Sequence, residues 1–209
     1  MTNPPAAPAA VRDEIRRQIE ASIAVKQLVL ADAGLLAQIE RLTSTCVQAL
    51  KSGGKIIFAG NGGSFADAQH LSAEFTSRFA FDRAPLPSLT LGANSSAISA
   101  IGNDYGYEQV FARELKGIAS PRDIFIPLST SGNSPNIVAA VEVARTLSIT
   151  TVALSGRSGG RLRERCECLC IPSAETARIQ ECHITIGHIL CGLVEAELFG
   201  DASSRGVMR

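Results

Sequence analysis

The sequence predicts a single α/β domain in which a parallel sheet is sandwiched between helices. Short apolar runs recur along the chain, each separated from the next by a stretch with helical spacing. Two of those runs end in glycine- and serine-rich segments, where ligands of parallel sheets bind beyond the carboxyl ends of the strands. The length of 209 residues suits one such domain with a short helical extension.

Residues 1–10 are rich in Pro and Ala and are expected to form a disordered tail; 201–209 are expected to form a flexible one, leaving the domain at 11–200. VRDEIRRQIEASIAVKQLVL and AGLLAQIERLTSTCVQALKSGG repeat apolar residues at spacings of three and four, which predicts two amphipathic helices within 11–52, closed by Gly53 and Gly54. KIIFAG at 55–60 is short, apolar and ends at glycine, so it reads as a strand buried on both faces. Further strands are predicted at 86–91, 123–130, 150–156 and 168–172, with helices at 64–79, 104–118, 135–148 and 176–199.

Twenty basic and twenty acidic residues leave no net charge, and no Lys/Arg run marks a nucleic-acid footprint. No apolar stretch approaches the roughly 18 residues of a membrane span, and the start lacks a basic segment followed by an apolar one. A soluble cytoplasmic protein without nucleic-acid or membrane partners is expected. Cys166, Cys168 and Cys170 alternate as in a strand and form no C-x-x-C pair, so the six cysteines read as buried or half-buried free thiols.

GNGGSFADAQHLSAEF at 60–75 and STSGNSPN at 129–136 each open a helix with small residues and hydroxyls, leaving first-turn N–H groups free where the helix dipole favours an anion. A sugar phosphate could be held between them without a lysine. The first segment fails the dinucleotide fingerprint, since Phe65 stands at the last glycine position, and fails the P-loop pattern for want of G-K-[ST]. Gly62-Gly63-Ser64-Phe65-Ala66 comes nearer a hydrolase elbow, with Ser64 as nucleophile and His188 as a distant base, but no acid partner or oxyanion loop completes it. In the second segment Ser129, Thr130, Ser131 and Ser134 exceed the single residue an N-cap needs, as several phosphate oxygens would require. His70 and Glu74 lie about 40° apart around one helix and project from one face, able to share a metal or a substrate or to form a plain surface pair. Gln180 and His188 sit on an otherwise apolar stretch, where a polar ring needs a partner; His183 has none in sequence and reads as structural or surface.

Taken together, GNGGSxADAQHxxAEF, IGNDYGYE at 101–108, STSGNSPN and RIQECHxxxGHxLCGLVE at 178–195 resemble the phosphoheptose isomerase family of the sugar isomerase (SIS) domain superfamily, over about residues 10–200. The resemblance implies a three-layer α-β-α SIS-type, Rossmann-like fold. It implies one zinc ion per subunit on His70, Glu74, Gln180 and His188, a residue set whose imidazoles and carboxylate suit that ion. Substrate contacts are implied at Asn61, Gly62, Gly63, Ser64, Glu74, Asn103, Asp104, Ser129, Thr130, Ser131, Ser134 and Gln180. The implied reaction turns D-sedoheptulose 7-phosphate into D-glycero-D-manno-heptose 7-phosphate through an enediol, with Glu74 as base and His188 as acid. It would open bacterial ADP/GDP-heptose synthesis, which feeds lipopolysaccharide core or another heptose glycan. The family also implies a homotetramer with active sites between subunits, a role the N-terminal helices suit.

The chain departs from the pattern at Asn94 and Ala177, where related sequences often have Asp, which leaves activity on another ketose phosphate open. A second alternative is a non-catalytic SIS-domain adaptor of the kind that binds a replication initiator. Such an adaptor would be expected to lack Glu74 and His188, and both are present.

Overall fold

The computed structural model describes residues 9–203, so the expectations for 1–8 and 204–209 lie outside it. Helices α1 (Ala9–Ala31) and α2 (Ala33–Lys51) are separated at Asp32, whose carboxylate caps α2 by accepting from the Leu35 amide. Strands β1 (Ile56–Ala59), β2 (Ser88–Thr90), β3 (Ile124–Ser129), β4 (Thr150–Ser155) and β5 (Glu167–Cys170) form one parallel sheet in the order β2-β1-β3-β4-β5. The remaining helices are α3 (Gly63–Thr76), α4 (Ser95–Tyr105), α5 (Val110–Ile118), α6 (Pro135–Thr146) and α7 (Thr176–Ser203). All five predicted strands are present, each within the bounds read from sequence or a residue outside them.

Apolar runs become strands here because both faces of the sheet are covered. Ile56, Phe58, Ile124, Ile126, Leu128, Val152 and Leu154 point into one core with residues of α2, α3 and α7. The alternate residues Ile57, Ala59, Phe125 and Ala153 point into a second core with α5 and α6. Pro127 sits in the middle of the central strand and has no amide to give. The register with β4 accordingly lapses between Phe125 and Leu128, while the ladder to β1 continues through Ala59.

Two expectations need correction. The helix read at 104–118 is the last two residues of α4, a short 3-10 turn at Tyr107–Gln109 and α5, and the remainder of α4, over 95–103, is a helix the sequence reading lacks. Helix α4 has no fully buried residue, and its apolar stripe is only Ile98 and Ile101, which lean on the second core; Asn94 caps it by accepting from the Ala97 amide. An Asp at position 94 would accept the same bond, so the departure there keeps the cap. Second, Thr176–Gly200 of α7 is long and apolar enough to cross a membrane by length and composition. In this fold it is a core helix whose Ile179, Ile186, Leu190 and Val194 pack under the sheet.

All six cysteines are free, with Cys46, Cys182 and Cys191 buried and the three on the β5 edge half-buried. His183 proves to be fully buried, its Nε2 3.3 Å from the Ser155 carbonyl. Burial lowers its pKa to about 4 from an ordinary value near 6.5, against the opposing pull of that hydrogen bond. An unfolded chain therefore takes up a proton here below about pH 6.5 that the folded chain refuses until about pH 4. Stability should fall across that window by roughly 3 kcal/mol from this group. Urea unfolding at pH 7 and 4.5 checks this: His183→Gln should lose markedly less stability than the wild type over the same interval.

Candidate active site

Helix α3 follows β1 and packs on one face of the sheet, whereas α6 follows the adjacent β3 and packs on the other. The two helix N-termini therefore diverge above neighbouring strands and leave a crevice, the switch point of a doubly wound sheet. Gly62 caps α3 with φ of 55°, a left-handed conformation that glycine adopts without strain. Among the described residues the amides of Gly62 and Gly63 have no acceptor, while those of Ser64 and Phe65 turn back onto Asn61 and Gly62. At Gly63 a Cβ would lie 2.8 Å from Gln180 Nε2, so the glycine leaves room for the Gln180 amide where it stands.

At the second crevice wall Ser134 caps α6 in position but not by its hydroxyl, which instead lies 3.2 Å from the Ser129 hydroxyl. The Ser131 hydroxyl accepts from the Asn133 amide. Among the described residues the Thr130, Ser131 and Ser134 amides have no hydrogen-bond acceptor, so this loop keeps a row of donors for a ligand. The Ser129 and Ser134 hydroxyls thus lie together, and Ser134 does not spend its hydroxyl on capping the helix.

Helices α3 and α7 run side by side below the glycine loop. His70 Nε2 stands 2.9 Å from His188 Nε2 and 3.4 Å from Glu74 Oε1, so these three side chains meet through His70. Gln180, two turns before His188 on α7, reaches the start of α3, its amide 3.4 Å from the Ser64 hydroxyl. Ser64 is itself buried and has Gln180 rather than an imidazole as its partner, which removes the hydrolase-elbow reading: His188 faces His70. Asn103 and Asp104 stand on the exposed side of α4, hydrogen-bonded to each other, and do not line the cavity at Gly60–Gly62.

Several residues that the motifs did not single out complete the site. One oxygen of Asp67, Oδ2, is buried with no hydrogen-bond partner. Burial pushes its carboxyl pKa up, while the neighbouring His70 and His188 imidazoles pull it back. Its place one turn before His70 on the same helix was the available signal. The Phe79 ring lies 5.7 Å from that of His188. Behind it, Glu195 accepts from the Phe79 and Ala80 amides and from Arg83 Nε, and Arg83 donates onward to the carbonyls of Glu74, Phe75, Ser77 and Ala84.

Among the described residues no three His, Cys, Asp or Glu side chains are arranged as they stand to hold a metal ion. The donors nonetheless suit one. Tetrahedral zinc with ligands at 2.0–2.1 Å separates neighbouring donors by ~3.3 Å, and the His70–His188 and His70–Glu74 separations of 2.9 and 3.4 Å lie on either side of that value.

The SIS domain family profile matches residues 22–156. The chain is 50% identical over 190 residues to the phosphoheptose isomerase of Aneurinibacillus thermoaerophilus, covering 90% of this chain and 96% of that one. Against the phosphoheptose isomerase of Burkholderia pseudomallei identity is 49% over 177 residues, 84% and 90% of the two chains. The structure of a phosphoheptose isomerase from Francisella tularensis superposes with a TM-score of 0.84 at 37% identity, covering 88% of this chain and 97% of that one. The chain belongs to the phosphoheptose isomerase family. The structure of the family member from Neisseria gonorrhoeae superposes almost as well, with a TM-score of 0.82 at 34% identity over 88% of this chain and 99% of the other. Both departures from the phosphoheptose isomerase pattern fall outside the crevice walls: Asn94 caps α4, and Ala177 is exposed in the first turn of α7.

Proposed function

We propose that this phosphoheptose isomerase converts D-sedoheptulose 7-phosphate into D-glycero-D-manno-heptose 7-phosphate, the opening step of a bacterial heptose pathway. The observation that carries the reading is the meeting of His70, Glu74 and His188 below two anion cradles, in a chain half identical to phosphoheptose isomerases. The phosphate is received by the hydroxyls of Ser129, Thr130, Ser131 and Ser134 and the amides of Thr130, Ser131 and Ser134, together with the first turn of α6. The amides of Gly62 and Gly63 face the sugar oxygens. Glu74 takes the proton from C1 of the ketose while His188 gives one to the O2 oxygen, which yields the enediol. Glu74 then returns its proton to C2 as His188 recovers one from O1, leaving the aldose and restoring both groups.

Zinc would be held by His70, Glu74, Gln180 and His188, and when bound it supplies positive charge that polarises the substrate carbonyl and hydroxyl. The buried, unpartnered oxygen of Asp67 beside two imidazoles supports a cation here. A homotetramer is supported by the apolar residues Ile15, Ile19 and Ile23 on α1 and Ile189 and Leu193 on α7, which this single chain leaves exposed. The exposed pair Asn103 and Asp104 would then face a neighbouring subunit's crevice.

NMR of sedoheptulose 7-phosphate in D2O with the zinc-loaded protein tests this. The expected result is a new aldose anomeric signal with deuterium at C2, lost on chelation and restored by zinc. Folded, zinc-loaded protein that leaves the ketose unchanged overturns the reading, and another ketose phosphate or an adaptor role becomes the better account.

A further inference from the structure

We propose that Asn136 is a positioning residue: with Asn61 it forms an amide clasp that sets the spacing between the two anion cradles and so the affinity for the phosphate-bearing substrate. The inference rests on the reading that this crevice binds a sugar phosphate. Asn61 Nδ2 donates to Asn136 Oδ1 at 2.9 Å, and Asn136 Nδ2 donates back to Asn61 Oδ1 at 2.9 Å. Asn136 Oδ1 also accepts from the Ile137 amide at 3.0 Å, which anchors the clasp to the first turn of α6. The Tyr107 hydroxyl donates to Asn61 Oδ1 at 3.2 Å and braces it from the other side.

Two consequences follow from this bonding. Asn61 spends its side-chain oxygen and one of its two side-chain N–H groups inside the protein, so its loop offers a ligand chiefly backbone N–H. Among the described residues these two bonds are also the only hydrogen bonds joining segment 60–63 to segment 129–136. The two loops leave adjacent strands for opposite faces of the sheet, so nothing in the ladder holds their tips in register. Asn136 is only 2% exposed, and its pairing with Asn61 brings the wall of one helix against the other. Each amide gives one donor and accepts one bond, and that reciprocity requires Asn at both positions. Asp at 136 would set two acceptors face to face and place a charge beside the anion cradles.

The test uses Asn136→Asp, Asn136→Ala, Asn61→Ala and the Asn61→Ala/Asn136→Ala double variant as full-length, zinc-loaded protein, with folding checked by thermal unfolding. KM for sedoheptulose 7-phosphate and the dissociation constant of inorganic phosphate should both rise, by roughly tenfold in the Ala variants and more in Asn136→Asp, with kcat within about threefold of wild type. The double variant should be no worse than either single one, as expected of two halves of one device. Asn61→Ala losing clearly more than Asn136→Ala would mean that the Asn61 side chain contacts the substrate itself, and overturns the proposal. So does additivity in the double variant, or a fall in kcat and melting temperature with KM and phosphate affinity unchanged. If the wild type binds phosphate but fails to isomerise the ketose, the functional reading fails while phosphate affinity still decides the clasp.

Discussion

Glu74→Gln protein is expected to convert sedoheptulose 7-phosphate about a thousandfold more slowly than wild type, the scale of a lost general base. Gln keeps the volume and the helical position of Glu74. Its backbone carbonyl remains the acceptor of Arg83 Nη2 at 2.9 Å, so the end of α3 should hold its place. What is removed is the carboxylate of the His70–Glu74–His188 meeting, the group proposed to take a proton from carbon and return it to the neighbouring carbon. Zinc content measured alongside separates the two roles proposed for Glu74, because a carboxylate held on a metal is a poorer base. A variant that keeps its zinc and loses turnover identifies the base; one that turns over within tenfold of wild type sinks the assignment. His188→Gln should give a smaller loss, since oxygen-to-oxygen proton shuttling can be shared with water.

Glu195→Ala should destabilise the fold by roughly 3–5 kcal/mol, the penalty for leaving one partner of a buried ion pair uncompensated, or about 10 °C in Tm. The Glu195 carboxylate is fully buried and accepts three hydrogen bonds, from the Phe79 and Ala80 amides and from Arg83 Nε at 3.0 Å. Removing it leaves the Phe79 and Ala80 amides and the Arg83 Nε–H without their acceptor and the guanidinium charge without its counter-ion. Because Arg83 also gathers the carbonyls of Glu74, Phe75, Ser77 and Ala84, the segment that leads from α3 to β2 should loosen. Phe79 would then leave the His188 ring, and activity should fall with stability. Chemical unfolding and the near-ultraviolet circular dichroism of the variant check both effects. A loss below about 1 kcal/mol would show that water or a rearranged loop replaces the carboxylate.

Much of the sheet was legible because its strands are buried on both faces and end in small residues, so KIIFAG and DIFIPLST announce themselves as apolar runs. Helix α4 was missed for the opposite reason: along SSAISAIG only Ile98 and Ile101 lean on the core, none of its residues is fully buried, and two isoleucines among Ser, Ala and Gly make too short a stripe to stand out. Within the site, the hydroxyl loop at 129–134 and the His70–Glu74 spacing stood out because each is local in sequence. Asn136 was visible only as the last letter of a loop motif, since its partner Asn61 lies 75 residues away.

Local patterning alone dictated the order of strands and helices, the parallel sheet and the two helix N-termini able to receive an anion, since these depend on near-neighbour periodicity and on backbone groups every chain has. Only the folded chain decided which side chains meet: His70 with His188, Asn61 with Asn136, Arg83 with Glu195. Those pairs join residues 75–118 positions apart, and their contact is set by how α3, α6 and α7 pack on the two faces of the sheet. A hydrogen bond leaves no mark at such a separation, because its energy depends on a distance that only the packing of the whole core fixes.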